Sequence, residues 1–265
     1  MSKLITVIGF NTDNAILAER LCDWIYQLSG KEQGGHAVLV CDQQVHEELR
    51  QKVRIAAEVA FSGVEMVVAS VDVIPKQIPS HYWMNLMFIK AADHMQRCYR
   101  WPWLWLEPEC VPVKDNWMES IMAAYDSQPK RYMGTHMQLG DTRFLNRIAV
   151  YPPSAYFDVR EVKQTEGPFE IAASQRIIPK SSRTKVFQHL KFQDETDIEK
   201  VREDASVVVG DAVGILIESM RELKPVKRES IHITQQLGGQ LPKPQKIDGR
   251  TKSGKAALAA MKEHP

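Results

Sequence analysis

The stretch that most constrains the fold is Trp101-Pro102-Trp103-Leu104-Trp105-Leu106-Glu107-Pro108-Glu109-Cys110-Val111-Pro112, an apolar, tryptophan-rich run ending in two carboxylates one residue apart. An apolar run of this length is either a strand covered on both faces or part of a buried helix, and periodicity alone does not separate the two. Pro102, Pro108 and Pro112 decide for the strand, because proline within a helix removes a hydrogen bond and clashes with the preceding turn. The expectation is a buried strand whose carboxyl end delivers Glu107 and Glu109 into a cleft.

The rest of the chain supplies the cover. Residues 4–9 read as a first strand, and Asn11, Thr12 and Asp13 as a polar loop able to cap the helix that follows. Ala15, Leu17, Leu21, Trp24, Ile25 and Leu28 recur at helical spacing, and Gly30 closes that segment. A second strand at 36–42, a second helix at 45–61 and a third strand at 64–70 complete a β-α-β-α-β alternation, which predicts a parallel sheet with right-handed crossovers. Loops after such strands line one edge of the sheet, where ligands bind, so Asn11, Asp13, Asp42 and Asp72 are candidates for contacting a nucleotide. Neither a G-x-G-x-x-G after the first strand nor a Walker loop is present, so phosphates must be held in another way.

Residues 81–88 lead into a helix through Ala92, Met95 and Cys98 that feeds the tryptophan strand. Asn85 near its start either caps the helix or bonds a ligand. Past Pro112, Asn116 is placed to cap a helix through Met118, Ile121, Met122 and Tyr125. Strand-like segments follow at 131–135 and 146–152; Gly134 permits close approach, and Thr135 and His136 are candidates for an acceptor pocket, although a lone histidine is more often structural. Lys180, Ser181, Ser182 and Arg183 read as a basic turn, residues 205–211 as a late buried strand and 214–223 as a helix. The expected division is a domain over 1–223 and a polar, basic, extended tail over 224–265, with a terminal Ala-rich helix at 253–262.

Side chains at i and i+2 of an extended segment point the same way, so Glu107 and Glu109 are placed to share one divalent cation. Hard carboxylate oxygens suit Mg2+ or Mn2+, ions commonly held by one or two carboxylates plus substrate phosphates. The alternative is a pair of solvated acids in a loop after a core strand.

The net charge of +1 over 265 residues gives no global reason to expect nucleic acid, but it hides an asymmetry: from Lys224 onward nine Lys/Arg face three Asp/Glu. Cys22, Cys41, Cys98 and Cys110 lack CxxC spacing and read as reduced, buried thiols of a cytoplasmic protein. No apolar stretch approaches the roughly 18 residues of a membrane span.

Several pieces together resemble the GT-A glycosyltransferases, and most closely a group of phage-encoded glycosyltransferase-like proteins. They are Trp83-Met84-Asn85 before a helix, the run from Trp103 to Pro112, Trp117 in the next helix, Tyr132-Met133-Gly134, and the segments 146–152 and 184–190. The resemblance implies a GT-A (Rossmann-like), mostly parallel sheet flanked by helices, and transfer of a sugar from a nucleotide-diphosphate donor to an acceptor hydroxyl. It implies that Glu107 and Glu109 stand in the metal-holding D-x-D motif, with Trp83 and Asn85 at the donor and Glu109, Asp141 or His136 in catalytic roles. Where the family pattern has His-Gly and then a Lys-Asp-Gly-Ser-Leu-like turn, this chain has Val209-Gly210-Asp211-Ala212. Losing a charge-assisted phosphate contact removes about 1.5–3 kcal/mol. Either Asp211 or a basic group among Lys180, Arg183 and Lys185 compensates, or the protein is a degenerate relative that binds, or scaffolds, without turnover. For a phage-type enzyme, acting in the host cytoplasm, DNA with hydroxylated bases is an acceptor that the basic tail would contact.

Overall fold

In the computed structural model, which describes residues 3–31, 35–72, 74, 77–164, 167–190 and 201–209, the tryptophan run becomes a short strand in the middle of the main sheet. In chain order the strands and α-helices are β1 (Ile5–Phe10), α1 (Ala15–Ser29), β2 (His36–Asp42), α2 (Glu47–Ala60), β3 (Gly63–Ala69), α3 (Tyr82–Cys98), β4 (Trp103–Leu106) and β5 (Cys110–Pro112). There follow α4 (Trp117–Asp126), β6 (Tyr132–Leu139), β7 (Thr142–Tyr151), α5 (Tyr156–Val159), α6 (Phe169–Ala172), α7 (Ser174–Ile177), β8 (Ser181–Arg183), β9 (Phe187–His189) and β10 (Val207–Val209).

The main sheet has the order β3-β2-β1-β4-β7-β6-β8. Strands β3, β2, β1 and β4 are mutually parallel, β7 is antiparallel to both β4 and β6, and β8 runs parallel to β6. The fold is thus mixed α/β with a mostly parallel central sheet, as expected. Alternation along β4 explains its burial on both sides. Leu104 and Leu106 join Ile8, Leu39 and residues of α1, α2 and α4 on one face. Trp103 and Trp105 join Val7, Val40 and residues of α3 on the other. There Phe88 stacks on Phe169 at 3.6 Å and Trp103 on Tyr151 at 4.7 Å, while Trp103 Nε1 donates to Pro152 O. Gly9 of β1 is needed under this layer, because a Cβ there would stand 2.4 Å from Trp105 Cζ2.

A smaller sheet, β5-β10-β9, hangs from the end of β4. Its register puts Cys110, Val209 and His189 in one row. Trp24 of α1 ties it to the main body by donating from Nε1 to Pro112 O at 2.7 Å.

Three readings of the sequence change. The strands expected at 131–135 and 146–152 are longer, forming a hairpin closed at Gly140 (φ 55°) and Asp141. Its outer half is exposed and polar, which reads as loop. The basic turn at 180–183 is instead strand β8, paired with Tyr132–Gly134. Neither Asn116 nor the loop before α1 makes a side-chain cap. All four cysteines are free thiols, with Cys98 exposed and the others buried. Among the described residues, no helix is long and apolar enough to cross a membrane. The expected helix at 214–223, the boundary at 223/224 and the tail at 224–265 lie outside the described residues.

Candidate active site

The strand order reverses direction between β1 and β4: successive crossovers run outward from β1 through β2 to β3, and the chain then returns to the other side of β1. At such a switch point the loops leaving the two central strands diverge and open a crevice at their carboxyl ends. Here those loops are residues 11–14 after β1 and 107–109 after β4.

Both loops are fixed by their own side chains. Asn11 Oδ1 accepts from the N–H groups of Asp13 and Asn14, while Asn14 Oδ1 accepts from Asn11 N–H at 2.7 Å. Cys110 N–H donates to Glu107 O at 2.9 Å, so the acids occupy the first and third positions of a tight turn. They do not share one side of an extended segment, as i, i+2 spacing predicted. The turn nevertheless brings them to one place, and Asn14 Nδ2 donates to Glu109 Oε1 at 3.3 Å, joining the two loops across the crevice.

The two acids differ in environment. Glu107 is 6% exposed, and burial pushes its carboxyl up to about 7 despite the charge of Arg147. Arg147 of β7 places Nε 2.6 Å from Glu107 Oε1, but off the hydrogen-bond line, so that oxygen is buried against a charge with no aligned donor. Glu109 is half-buried. Arg147 also feels Glu170 of α6 and Glu109, and these carboxylates hold it firmly charged. Glu170 Oε2 is a further buried polar atom without a partner here, and the Trp105 indole N–H, not aligned on any acceptor, lies near enough to Glu107 to favour its charged form slightly.

The expected nucleotide contacts divide. Asn11 is engaged in its turn. Asp42 is 2% exposed, accepts from Gln44 N–H at 2.7 Å, and has its pKa raised by burial, to which the charge of Asp13 adds. Asp13 and Asp42 stand within electrostatic reach of each other after β1 and at the end of β2, while Asp72 is exposed in the loop after β3. Trp83 packs against the core beside Tyr82. Asn85 is fully buried inside α3: its Nδ2 donates to Gln164 O and Gly167 O, and its Oδ1 accepts from Phe169 N–H. Its amide is saturated by the segment it pins, so it is neither a cap nor a ligand contact. Asp211 lies outside the described residues.

We assign no catalytic role to Asp141 or His136. Asp141 is exposed at the hairpin tip, six residues and about 20 Å of strand from Arg147. His136 Nδ1 accepts from Arg143 Nη2 at 2.7 Å, so Nε2–H faces Ser181 Oγ at 2.8 Å. Burial and the charges of Arg143, Arg183 and Lys130 lower its pKa to about 4, which leaves a weak base with both nitrogens engaged. Sequence reading missed Asn14, Arg147 and Glu170. Arg147 had a signal: it shares strand parity with Ala149 and Tyr151, both buried, so a charge there needed a partner.

Sheet order, flanking helices and a crevice with acids after the central strand define a fold of the GT-A glycosyltransferase type. No protein-family model and no curated protein matches the chain. Among solved structures, the bifunctional glycosyltransferase WbbM in its apo form superposes with a TM-score of 0.53 at 9% identity, over 91% of this chain and 52% of that one. This chain thus spans about half of WbbM. The galactosyltransferase LgtC, solved with donor and acceptor sugar analogs, gives 0.48 at 8% identity, over 83% of this chain and 95% of that one. A glycosyltransferase involved in glycosylation of the major capsid of PBCV-1 gives 0.44 at 13% identity, over 83% and 100%. At these identities the likeness is one of fold.

Proposed function

We propose that the protein is a glycosyltransferase that takes a sugar from a nucleotide-diphosphate donor and places it on an acceptor hydroxyl. The observation that carries this reading is the closure of the switch-point crevice by Asn14 and Glu109, with Glu107, Arg147 and Glu170 beneath it. In the reaction a bond forms between the acceptor oxygen and the anomeric carbon, the bond from that carbon to the diphosphate breaks, and the acceptor gives up its proton.

The residues fit a divalent cation bound together with a ligand. Arg147 contacts Glu107 and is also within electrostatic reach of Glu109 and Glu170, so one guanidinium serves three carboxyl groups, and Glu107 Oε1 has no aligned donor. Among the described residues, no group of three or more His, Cys, Asp or Glu forms a complete cage. Two carboxyl groups on one turn suit Mg2+ or Mn2+ only where substrate phosphates complete the coordination. Glu109 and Glu107 would hold the ion, which when bound neutralises charge on the departing diphosphate. Arg147 orients Glu107, and Asn14 orients Glu109.

The test is thermal stability with UDP-, GDP-, ADP- and CMP-linked sugars, each with and without manganese. A ligand that binds only the native state stabilises it by RT ln(1 + [L]/Kd), about 2.7 kcal/mol at a hundredfold Kd. The expected result is a manganese-dependent shift with one nucleotide that Glu109→Ala abolishes. No shift with any of them would refute the donor assignment and favour a binding or scaffolding module. A hydroxylated base in DNA is an alternative acceptor for the same reaction, and gel mobility at varied salt tests it.

A further inference from the structure

Beside the crevice lies a cavity of about 740 Å³ between β6 and the segment carrying β8 and β9. Its volume falls within the roughly 300–1,000 Å³ usual for small-molecule sites. Two registers place it next to the acid pair. Thr135, in its wall, sits at the β6 bulge facing residues 146–148 of β7, and so stands across from Arg147. His189, in the opposite wall, shares a row with Val209 and Cys110, two strand spacings or about 10 Å from the residue that follows Glu109.

The lining is one-sided in charge. Arg183, Lys185 and Arg202 contribute three cations, and no Asp or Glu lines the cavity. Arg202 is held in place, donating from Nη2 to Lys185 O at 2.6 Å and from Nε to Asp204 at 3.0 Å. Among the described residues, Arg183 and Lys185 have no carboxylate partner. A smaller cavity of about 270 Å³ shares Arg183 and adds Arg143. Thr135 Oγ1 and His189 Nε2 are buried polar atoms without partners. Both residues line the cavity, but these two atoms are closed to solvent and stand behind its wall.

We propose that this cavity is the acceptor site and that it takes a small hydroxyl-bearing acceptor with an anionic group, phosphate or carboxylate. Arg183 and Lys185 hold the anion, and the wall that carries Thr135 and His189 receives the hydroxyl-bearing body of the acceptor. The assignment as acceptor site rests on the glycosyltransferase reading; the anion specificity rests on the cavity alone. A charge-assisted bidentate contact from Arg183 fits either anion, and Lys185 adds a point charge.

Calorimetry on the full chain tests this with four probes: a hexose 6-phosphate, a hexuronic acid, the neutral hexose and a short single-stranded oligonucleotide. The expected result is saturable binding of one or both anionic sugars, at least tenfold tighter than the neutral one. The Arg183→Gln/Lys185→Gln variant should weaken it roughly ten- to a hundredfold with an unchanged melting temperature, because both side chains are exposed. The stronger of the two anionic sugars separates phosphate from carboxylate. Equal binding of neutral and anionic sugars, binding unaffected by the double variant, or binding of the oligonucleotide alone would each overturn the proposal. Because these measurements contain no nucleotide sugar, a protein that binds anionic sugars but no donor would sink the transferase reading and leave the anion site standing.

Discussion

Replacing Arg147 by Leu isolates the pair that underlies the crevice. In the wild type its guanidinium lies 2.6 Å from Glu107, with side-chain exposures of 35% and 8%. Removing one partner of a fully buried pair costs about 3–5 kcal/mol, because the remaining charge stays in a medium that solvates it poorly. Arg147 is one-third open to solvent, so part of its charge is already screened, and roughly 2–3 kcal/mol is the expected loss. For a chain of this size that lowers the melting temperature by about 4–12 °C. The measurement is urea unfolding at pH 8, where the wild-type Glu107, with its pKa near 7, is mostly ionised; without Arg147 that carboxyl rises further, and the proton it then takes up limits the loss. The decisive arm is Glu107→Gln in the Arg147→Leu background. If the penalty is an uncompensated buried charge, neutralising Glu107 restores most of the lost stability, and the double variant is more stable than Arg147→Leu alone. If both singles cost little and the double is simply their sum, the 2.6 Å contact is not an energetic pair, and the reasoning that Arg147 holds Glu107 fails.

Three further outcomes follow from particular contacts. Gly9→Ala drives a methyl into Trp105, a ring with no free space around it, at an overpacking cost of about 1–3 kcal/mol. It should lower the melting temperature and alter the near-ultraviolet tryptophan signal together; an unchanged spectrum would place the ring elsewhere. Asn85→Leu leaves Phe169 N–H and the carbonyls of Gln164 and Gly167 without a partner, for a loss of about 2–4 kcal/mol by denaturant unfolding; a neutral effect would mean that the clamp does not form. His136 has a folded pKa near 4, below its unfolded value of about 6.5, so the unfolded state takes up its proton first. The stability it contributes is present above pH 6.5 and is lost as pH falls toward 4. Allowing for solvent screening, His136→Gln should shrink the stability difference between pH 7 and pH 4.5 by about 1 kcal/mol, and an identical pH profile would refute the shift.

The sequence carried the fold because its strongest signals are local. Proline spacing made the tryptophan run a strand, and helical spacing of apolar residues set α1 to within a residue or so. The site was legible only in part, because its contacts span long separations. Asn14 meets Glu109 over 95 residues, and nothing in the Asn11-Thr12-Asp13-Asn14 loop shows which of its polar groups turns inward. Asn85 reads in the sequence as a cap or a ligand contact, because it is a polar residue near a helix start. Burial and the backbone of Gln164, Gly167 and Phe169 gave it different partners. The hairpin beyond Gly134 went unread since its outer half, including Leu139 at 63% exposure, packs on nothing that would impose a pattern.

Environment, not residue type, divides the roles of Glu107 and Glu109. One turn fixes both, yet Glu107 is sealed against Arg147 and Trp105, while Glu109 is half-open and held by the single amide of Asn14. A sealed carboxylate whose pKa stays raised even beside Arg147 opposes folding at neutral pH, so its substitution is felt in stability as well as in binding. Glu109 keeps an amide-accepting oxygen when replaced by Gln, so Glu109→Gln should preserve the Asn14 contact and the melting temperature, and remove only the charge offered to the crevice. Glu107→Gln should change both stability and manganese-dependent nucleotide binding. Thermal scans of the two variants with and without the nucleotide sugar separate these cases. Matching stability changes, or loss of binding in Glu107→Gln alone, would show that the open acid is not the one that meets the ligand.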